Sequence, residues 1–138
     1  MSAECGIRNT EWSDRIRWVN MVQGDLKNRT KRFALEIIKI CETLPKGRTA
    51  EVLGRQLLRA GTSTGANYPS ACRARSTADF ISKMGVVEEE LDESIYWIEL
   101  LVESGILKSK TVDFLVKEAN ELLSITVASI NTAKRRTK

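Results

Sequence analysis

Four stretches of this chain repeat apolar residues at the three-and-four spacing that draws one stripe along an α-helix. In the first, Phe33, Ala34, Ile37, Ile38, Ile40, Cys41 and Leu44 predict a helix over about Asn28 to Leu44, with Lys31, Arg32, Glu36 and Lys39 on its polar face. Pro45-Lys46-Gly47-Arg48 interrupts it, because proline lacks an amide donor and glycine accepts turn geometries. Thr49 is then placed to cap a second helix over about Ala50 to Arg73, with Leu53, Leu57, Leu58, Ala60 and Tyr68 inward. Pro69 inside that pattern predicts a kink or short break between Gly65 and Pro69, with Asn67 beside it to satisfy a freed backbone group.

Ser76 or Thr77 opens a third helix over about Ala78 to Ser104, where Phe80, Met84, Val87, Leu91, Ile95, Ile98 and Val102 keep the near-seven spacing of a bundle seam. Gly105 ends it as a C-terminal cap glycine. The fourth runs over about Ser109 to Thr132, with Val112, Leu115, Val116, Ala119, Leu122, Leu123, Thr126 and Ile130 as its stripe. Two-residue alternation is absent and the connections are short. The expectation is an all-α fold, an antiparallel up-and-down four-helix bundle over residues 25–133 with a kinked second helix. Residues 1–24 form an N-terminal extension, partly helical around Glu11 to Val22 and anchored by Trp12 and Trp18, and residues 134–138 form a basic tail.

The second helix carries a patch without bulk. Gly61 and Gly65 stand one turn apart beside Ala60, Ser63, Thr64 and Ala66, so another helix can come unusually close there. Arg55 and Arg59 precede the patch, and Arg73 and Arg75 follow it. That order predicts a helix-contact surface next to an anion-binding one.

Composition narrows the chemistry. At 138 residues the chain is one domain's worth. It contains no histidine, which removes the commonest general base, proton shuttle and transition-metal ligand together. Helix-bundle di-iron sites need a Glu-x-x-His motif on two helices, so Glu88, Glu89, Asp92 and Glu93 do not read as a metal centre. Cys5, Cys41 and Cys72 are widely spaced, without a C-x-x-C pair, and have no imidazole to activate them. Arg73 and Arg75 are placed to lower the thiol pKa of Cys72, but structural thiols, reduced in a cytoplasmic setting, fit best. No phosphate loop, secretory h-region or membrane-spanning run is present. No catalytic residue, metal or cofactor is expected.

The net charge of +4 hides an asymmetry. Met1 to Lys83 holds fifteen Lys and Arg against eight Asp and Glu, whereas Met84 to Ala133 holds three against ten. In an antiparallel bundle part of this is complementarity, within or between subunits. The rest allows a phosphate-contacting set drawn from Lys31, Arg32, Arg48, Arg55, Arg59, Arg73, Arg75 and Lys83, reading charge and shape rather than bases. Rotational symmetry would repeat one modest patch into a ring of positive charge. Two readings stand: a nucleic-acid-binding oligomer, and a protein-interaction scaffold whose basic residues only solubilise it.

The stretch Gln56 to Ser76 also resembles a family signature. Gln56, Leu57, Arg59, Ala60, Ser63, Ala66 and Asn67 fall on a pattern similar to Q-L-R-R-A-x-x-S-I-P-A-N-I-A-E-G, with Tyr68 in place of its isoleucine. Gly65 replaces the family proline, and Pro69 supplies one later. This pattern resembles that of bacterial four-helix-bundle proteins encoded in intervening sequences of 23S ribosomal RNA genes. The likeness extends over about Asp25 to Ala133, through Glu88 to Glu93, Tyr96-Trp97 and Ser104 to Leu107. It implies a homo-oligomer, with a pentamer favoured. By likeness to the accessory proteins of diversity-generating retroelements, it also implies contact with RNA or DNA and with a reverse transcriptase.

Overall fold

Four helices, each antiparallel to the next in sequence, fill the computed structural model, which describes the backbone of residues 17–136 and side chains from Leu26 to Arg136. They are α1 (Arg17–Glu42), α2 (Arg48–Cys72), α3 (Thr77–Glu103) and α4 (Ser109–Arg136). Packing runs around the ring α1–α2–α3–α4, and the α4–α1 seam that closes it is the sparsest. The fold is the expected all-α four-helix bundle. Its core is built from Phe33 and Ile37 on α1, Leu57 and Tyr68 on α2, Phe80, Met84 and Leu91 on α3, and Leu115 and Leu122 on α4, all nearly inaccessible to water.

Several boundaries differ from the sequence reading. α1 begins at Arg17 rather than near Asn28, so it takes in part of the expected extension; residues 1–16, with Trp12, lie outside the described residues. α2 starts at Arg48, one residue before the expected cap Thr49. Its N-cap is Gly47 at φ 149°, with no side-chain cap. A backbone angle that favours glycine sets this end, not a hydroxyl. α2 runs helical through Pro69 to Cys72 without a break, forgoing only the one bond that a Pro69 amide would give the Gly65 carbonyl. Asn67 Nδ2 donates to the Ser63 carbonyl at 2.8 Å, one turn back, rather than to the carbonyl of Gly65 that proline leaves without its amide. α4 continues through Lys134 to Arg136, so the first part of the expected tail is helix.

At the α3 N-terminus Ser76 Oγ accepts from the Asp79 amide at 3.1 Å. At its other end Ile106 N donates to Leu101 O at 2.9 Å and Gly105 N to Val102 O at 3.0 Å, with Gly105 at φ 84°. That pair of bonds is the Schellman arrangement, which satisfies carbonyls that the helix end would otherwise leave bare.

The tightest feature is the α1–α2 contact. A Cβ added at Gly54 would stand 2.7 Å from Leu44 Cδ1, at Gly61 2.8 Å from Ile37 Cγ1, and at Gly65 3.2 Å from the Thr30 carbonyl oxygen. Thr30 and Ile37 on α1 and Leu44 just past its end stand seven residues apart, and they meet glycines in reverse order on α2, as antiparallel packing requires. The small-residue patch is thus occupied within the same chain. Ile38 and Leu58, placed inward by the sequence pattern, are 38% and 37% exposed. They flank this contact because helices this close leave no room between them for a second row of side chains.

Gly61→Ala pushes a methyl into Ile37 and is expected to cost about 1–3 kcal/mol as overpacking, read as a lowered melting temperature. Gly85→Ala on α3 meets nothing within 4 Å and is expected to add about 0.5–1 kcal/mol through helix propensity. Equal shifts at the two positions would contradict the close approach.

Candidate functional site

The eight candidate cations do not form one patch. Arg59 on α2 reaches across to α3, with Nη2 2.6 Å from Glu93 Oε1 and Nη1 3.4 Å from Glu90 Oε1. Lys83 Nζ lies 3.2 Å from Asp79 Oδ2, one turn back on its own helix. Arg55 touches Glu51 only at 4.0 Å, with both side chains about 71% exposed, a geometry of little energetic consequence. Lys31, Arg32, Arg48, Arg73 and Arg75 are exposed and form no ion pair among the described residues. Of these, Arg48 opens α2 and Arg73 follows its last residue, so at 1.5 Å rise per residue they stand about 37 Å apart along the axis. Lys31 and Arg32 lie partway along α1.

What remains together is one end of the bundle. Antiparallel order brings the α2–α3 connector, residues 73–76, to the same end as the last turn of α4, which carries Lys134, Arg135 and Arg136. Cations at a helix C-terminus are favoured by its bare carbonyls, so these positions have a local electrostatic reason as well. Ala71, Cys72 and Ala74 are buried and pin the connector, while the alternate residues Arg73 and Arg75 face solvent. The Arg73 amide donates to the Pro69 and Ser70 carbonyls at 3.2 and 3.1 Å, and the Arg75 amide to Asp79 Oδ2 at 3.2 Å. The Arg75 amide, followed by Lys83, holds the Asp79 carboxyl below its usual range. Two guanidinium groups thus project from a backbone held at both sides.

Sequence reading missed Arg29. Its Nε and Nη2 donate to the two oxygens of Glu118 at 2.9 and 2.7 Å, and Nη2 also lies 2.6 Å from Glu121 Oε1. This bidentate clamp spans the sparse α1–α4 seam, and the hydrogen bond that Arg29 donates to Glu118 outweighs burial in holding the guanidinium charged. The basic first half and acidic second half of the sequence were its signal; without a register, the partners were not.

An open groove of about 610 Å³ lies beside the α1–α2 connector and includes Cys41, Leu44, Pro45 and Leu58. Cys41 Sγ donates to the Gly54 carbonyl at 3.5 Å, and burial, followed by Glu42, pushes its thiol up to about 11. At neutral pH it is a protonated, poorly nucleophilic group. Cys72 is buried.

Asp79 gives a pH test. Its folded pKa is depressed, so its contribution to stability is present above the unfolded value, near 3.8, and is lost as pH falls through the folded value. The difference in melting temperature between wild type and Asp79→Asn should hold steady above that range and close below it. Arg29→Ala, which leaves the part-buried Glu118 unpaired, should cost about 1–3 kcal/mol in denaturant titration. Arg59→Ala, at a half-exposed bridge, should cost less than about 1 kcal/mol.

Comparison with known proteins agrees with this architecture. No helix among the described residues is long and apolar enough to cross a membrane. No curated protein matches the chain. A solved structure from Bacteroides thetaiotaomicron, described as a protein with unknown function from the S23 ribosomal protein family, is similar at 30% identity and a TM-score of 0.73. The match covers 78% of this chain and 96% of that one. The family described as 23S rRNA-intervening sequence protein matches residues 24–128, which covers α2 and α3 whole and most of α1 and α4. The chain belongs to the 23S rRNA-intervening sequence protein family.

Proposed function

We propose that this family member is a non-enzymatic, homo-oligomeric bundle that binds nucleic acid through its basic end. The observation that carries the reading is the pair Arg73 and Arg75: exposed, free of ion pairs among the described residues, and held on a pinned connector beside the basic last turn of α4. Guanidinium groups suit phosphate oxygens, and a backbone already held in place leaves only the side chains to order on binding. The interface would read charge and backbone shape, because among the described residues no row of base-reading side chains accompanies the arginine pair. Arg59 belongs to the bundle's own bracing and Lys83 to the α3 N-terminal turn, so neither leads this contact. The absence of histidine and the protonated state of Cys41 support a binding rather than a catalytic role.

The scaffold reading draws on a different fact: the best-formed cationic contacts, at Arg29 and Arg59, are internal. Binding of a short single-stranded RNA, followed by fluorescence anisotropy across a salt series, separates the two. The nucleic-acid reading expects affinity to fall with salt, and Arg73→Ala with Arg75→Ala to lower the slope of log K against log salt by about 1–2. Arg48→Ala at the far end should leave the slope unchanged. A chain ending at Ala133 should retain part of the binding. Binding lost wholly on that truncation, or equal loss from Arg48→Ala and the arginine pair, would remove the connector from the account.

A further inference from the structure

A groove of about 460 Å³ opens along the α1–α4 seam, the sparsest in the bundle. It lies over Phe33 and Leu115, both 1% exposed. Antiparallel order puts Arg29 of α1 and Glu118 of α4 at the same end of this lining, and their ion pair bridges that end. Arg32 and Glu36 stand on the α1 side of the groove, and Phe114, 49% exposed, on the α4 side.

An exposed phenylalanine is ordinary surface by itself. Its surroundings are less so. Arg32 and Glu36 are opposite charges one turn apart on one helix, the spacing of an intrahelical pair, yet they do not bond to each other. Arg32 forms no ion pair among the described residues, and Glu36 meets only Lys39, through one oxygen at 3.4 Å. Glu118, by contrast, gives both its oxygens to Arg29. A guanidinium and a carboxylate are therefore left open beside an aromatic ring, in a recess within the range of about 300–1,000 Å³ typical of small-ligand sites.

That combination is selective. Inorganic phosphate would meet Arg32 but also the carboxylates of Glu36 and Glu118, and a simple cation would meet the converse. An apolar ligand would cover both charges without pairing either. A ligand that uses every feature has a flat ring for Phe114, a donor edge for Glu36 and an anionic arm for Arg32. Guanosine 5′-monophosphate has all of these, because the ring N–H and the exocyclic amine of guanine donate side by side to the two oxygens of one carboxylate. Adenine offers only its exocyclic amine on that edge. We propose that the α1–α4 groove binds a guanine mononucleotide, with the base stacked on Phe114 and read by Glu36, and the phosphate held by Arg32. This site is separate from the arginine connector and does not rest on the nucleic-acid reading.

Calorimetric titration of the full chain with guanosine 5′-monophosphate tests it, with adenosine 5′-monophosphate, guanosine, inorganic phosphate and free phenylalanine titrated alongside. The guanine nucleotide should bind saturably and about tenfold or more tighter than the adenine nucleotide, the worth of a charge-assisted hydrogen bond. Inorganic phosphate should not bind. Phe114→Ala should weaken binding by about tenfold through lost stacking, with wild-type helix content by circular dichroism because the ring is half exposed. Glu36→Gln should narrow the gap between the two nucleotides, and Arg32→Gln should bring guanosine 5′-monophosphate down to the affinity of guanosine. No saturable binding, equal affinity for the two nucleotides, or tighter binding of phenylalanine overturns the proposal. So does nucleotide binding that Phe114→Ala and Arg32→Gln leave unchanged but that Arg73→Ala with Arg75→Ala abolishes. None of these results alters the salt series that tests the connector.

Discussion

The bundle depends on side chains that α2 does not have. Gly54, Gly61 and Gly65 let α1 come close enough that Leu44 and Ile37 occupy the space where methyl groups would otherwise stand, and Gly65 comes up against the Thr30 carbonyl. A contact of this kind depends on shape rather than on area: each apolar group of α1 meets backbone instead of another side chain, so small changes in volume are felt directly. Ile38 and Leu58, each one residue past a buried position, turn outward. Hydroxyls that fall inside do not disturb it, since Thr64, Ser94 and Thr126 each donate to a carbonyl one turn back on their own helix.

Charge is layered on that frame in two tiers. Arg29 and Arg59 tie neighbouring helices, the first across the weakest seam and the second across the α2–α3 pair. These bridges fix register more than they add stability, because partly exposed pairs yield little net free energy. Of the remaining charge, α3 from Met84 to Glu103 is wholly acidic, while Lys31 and Arg32 on α1 and Arg73 and Arg75 on the connector are exposed cations. Charge of this sort matters for encounters with other molecules, whether phosphate backbones or further copies.

Helix number, class and most core positions were legible in the sequence because a period near 3.6 survives any tertiary context. The caps were less so. Ser76 reads as a cap from its neighbours, whereas the Gly47 end depends on a backbone angle that no local pattern announces. Pro69 suggested a break that the helix does not take. Gly61 and Gly65 were visible as a smooth surface, but not that α1 would cover it, and Gly54, one heptad earlier, went unnoticed for lack of small neighbours. Among the cations, sequence could mark Arg59 as one of a basic series; only the fold brings Glu90 and Glu93 beside it. Arg73 and Arg75 could be marked in the sequence only as two of a basic series after the small-residue patch; their shared exposure, with Ala74 buried between them, comes from the fold.

The claim that missing volume on α2 sets the fold is tested most directly by a double-mutant cycle between Gly61→Ala and Ile37→Ala. Truncating Ile37 removes both γ carbons that an added methyl at position 61 would strike. The account predicts strong coupling: Gly61→Ala is destabilising in the wild-type background and neutral or stabilising once Ile37 is alanine, a difference of about 1 kcal/mol or more. Additive effects within a few tenths of a kcal/mol would show that the two residues do not compete for the same space.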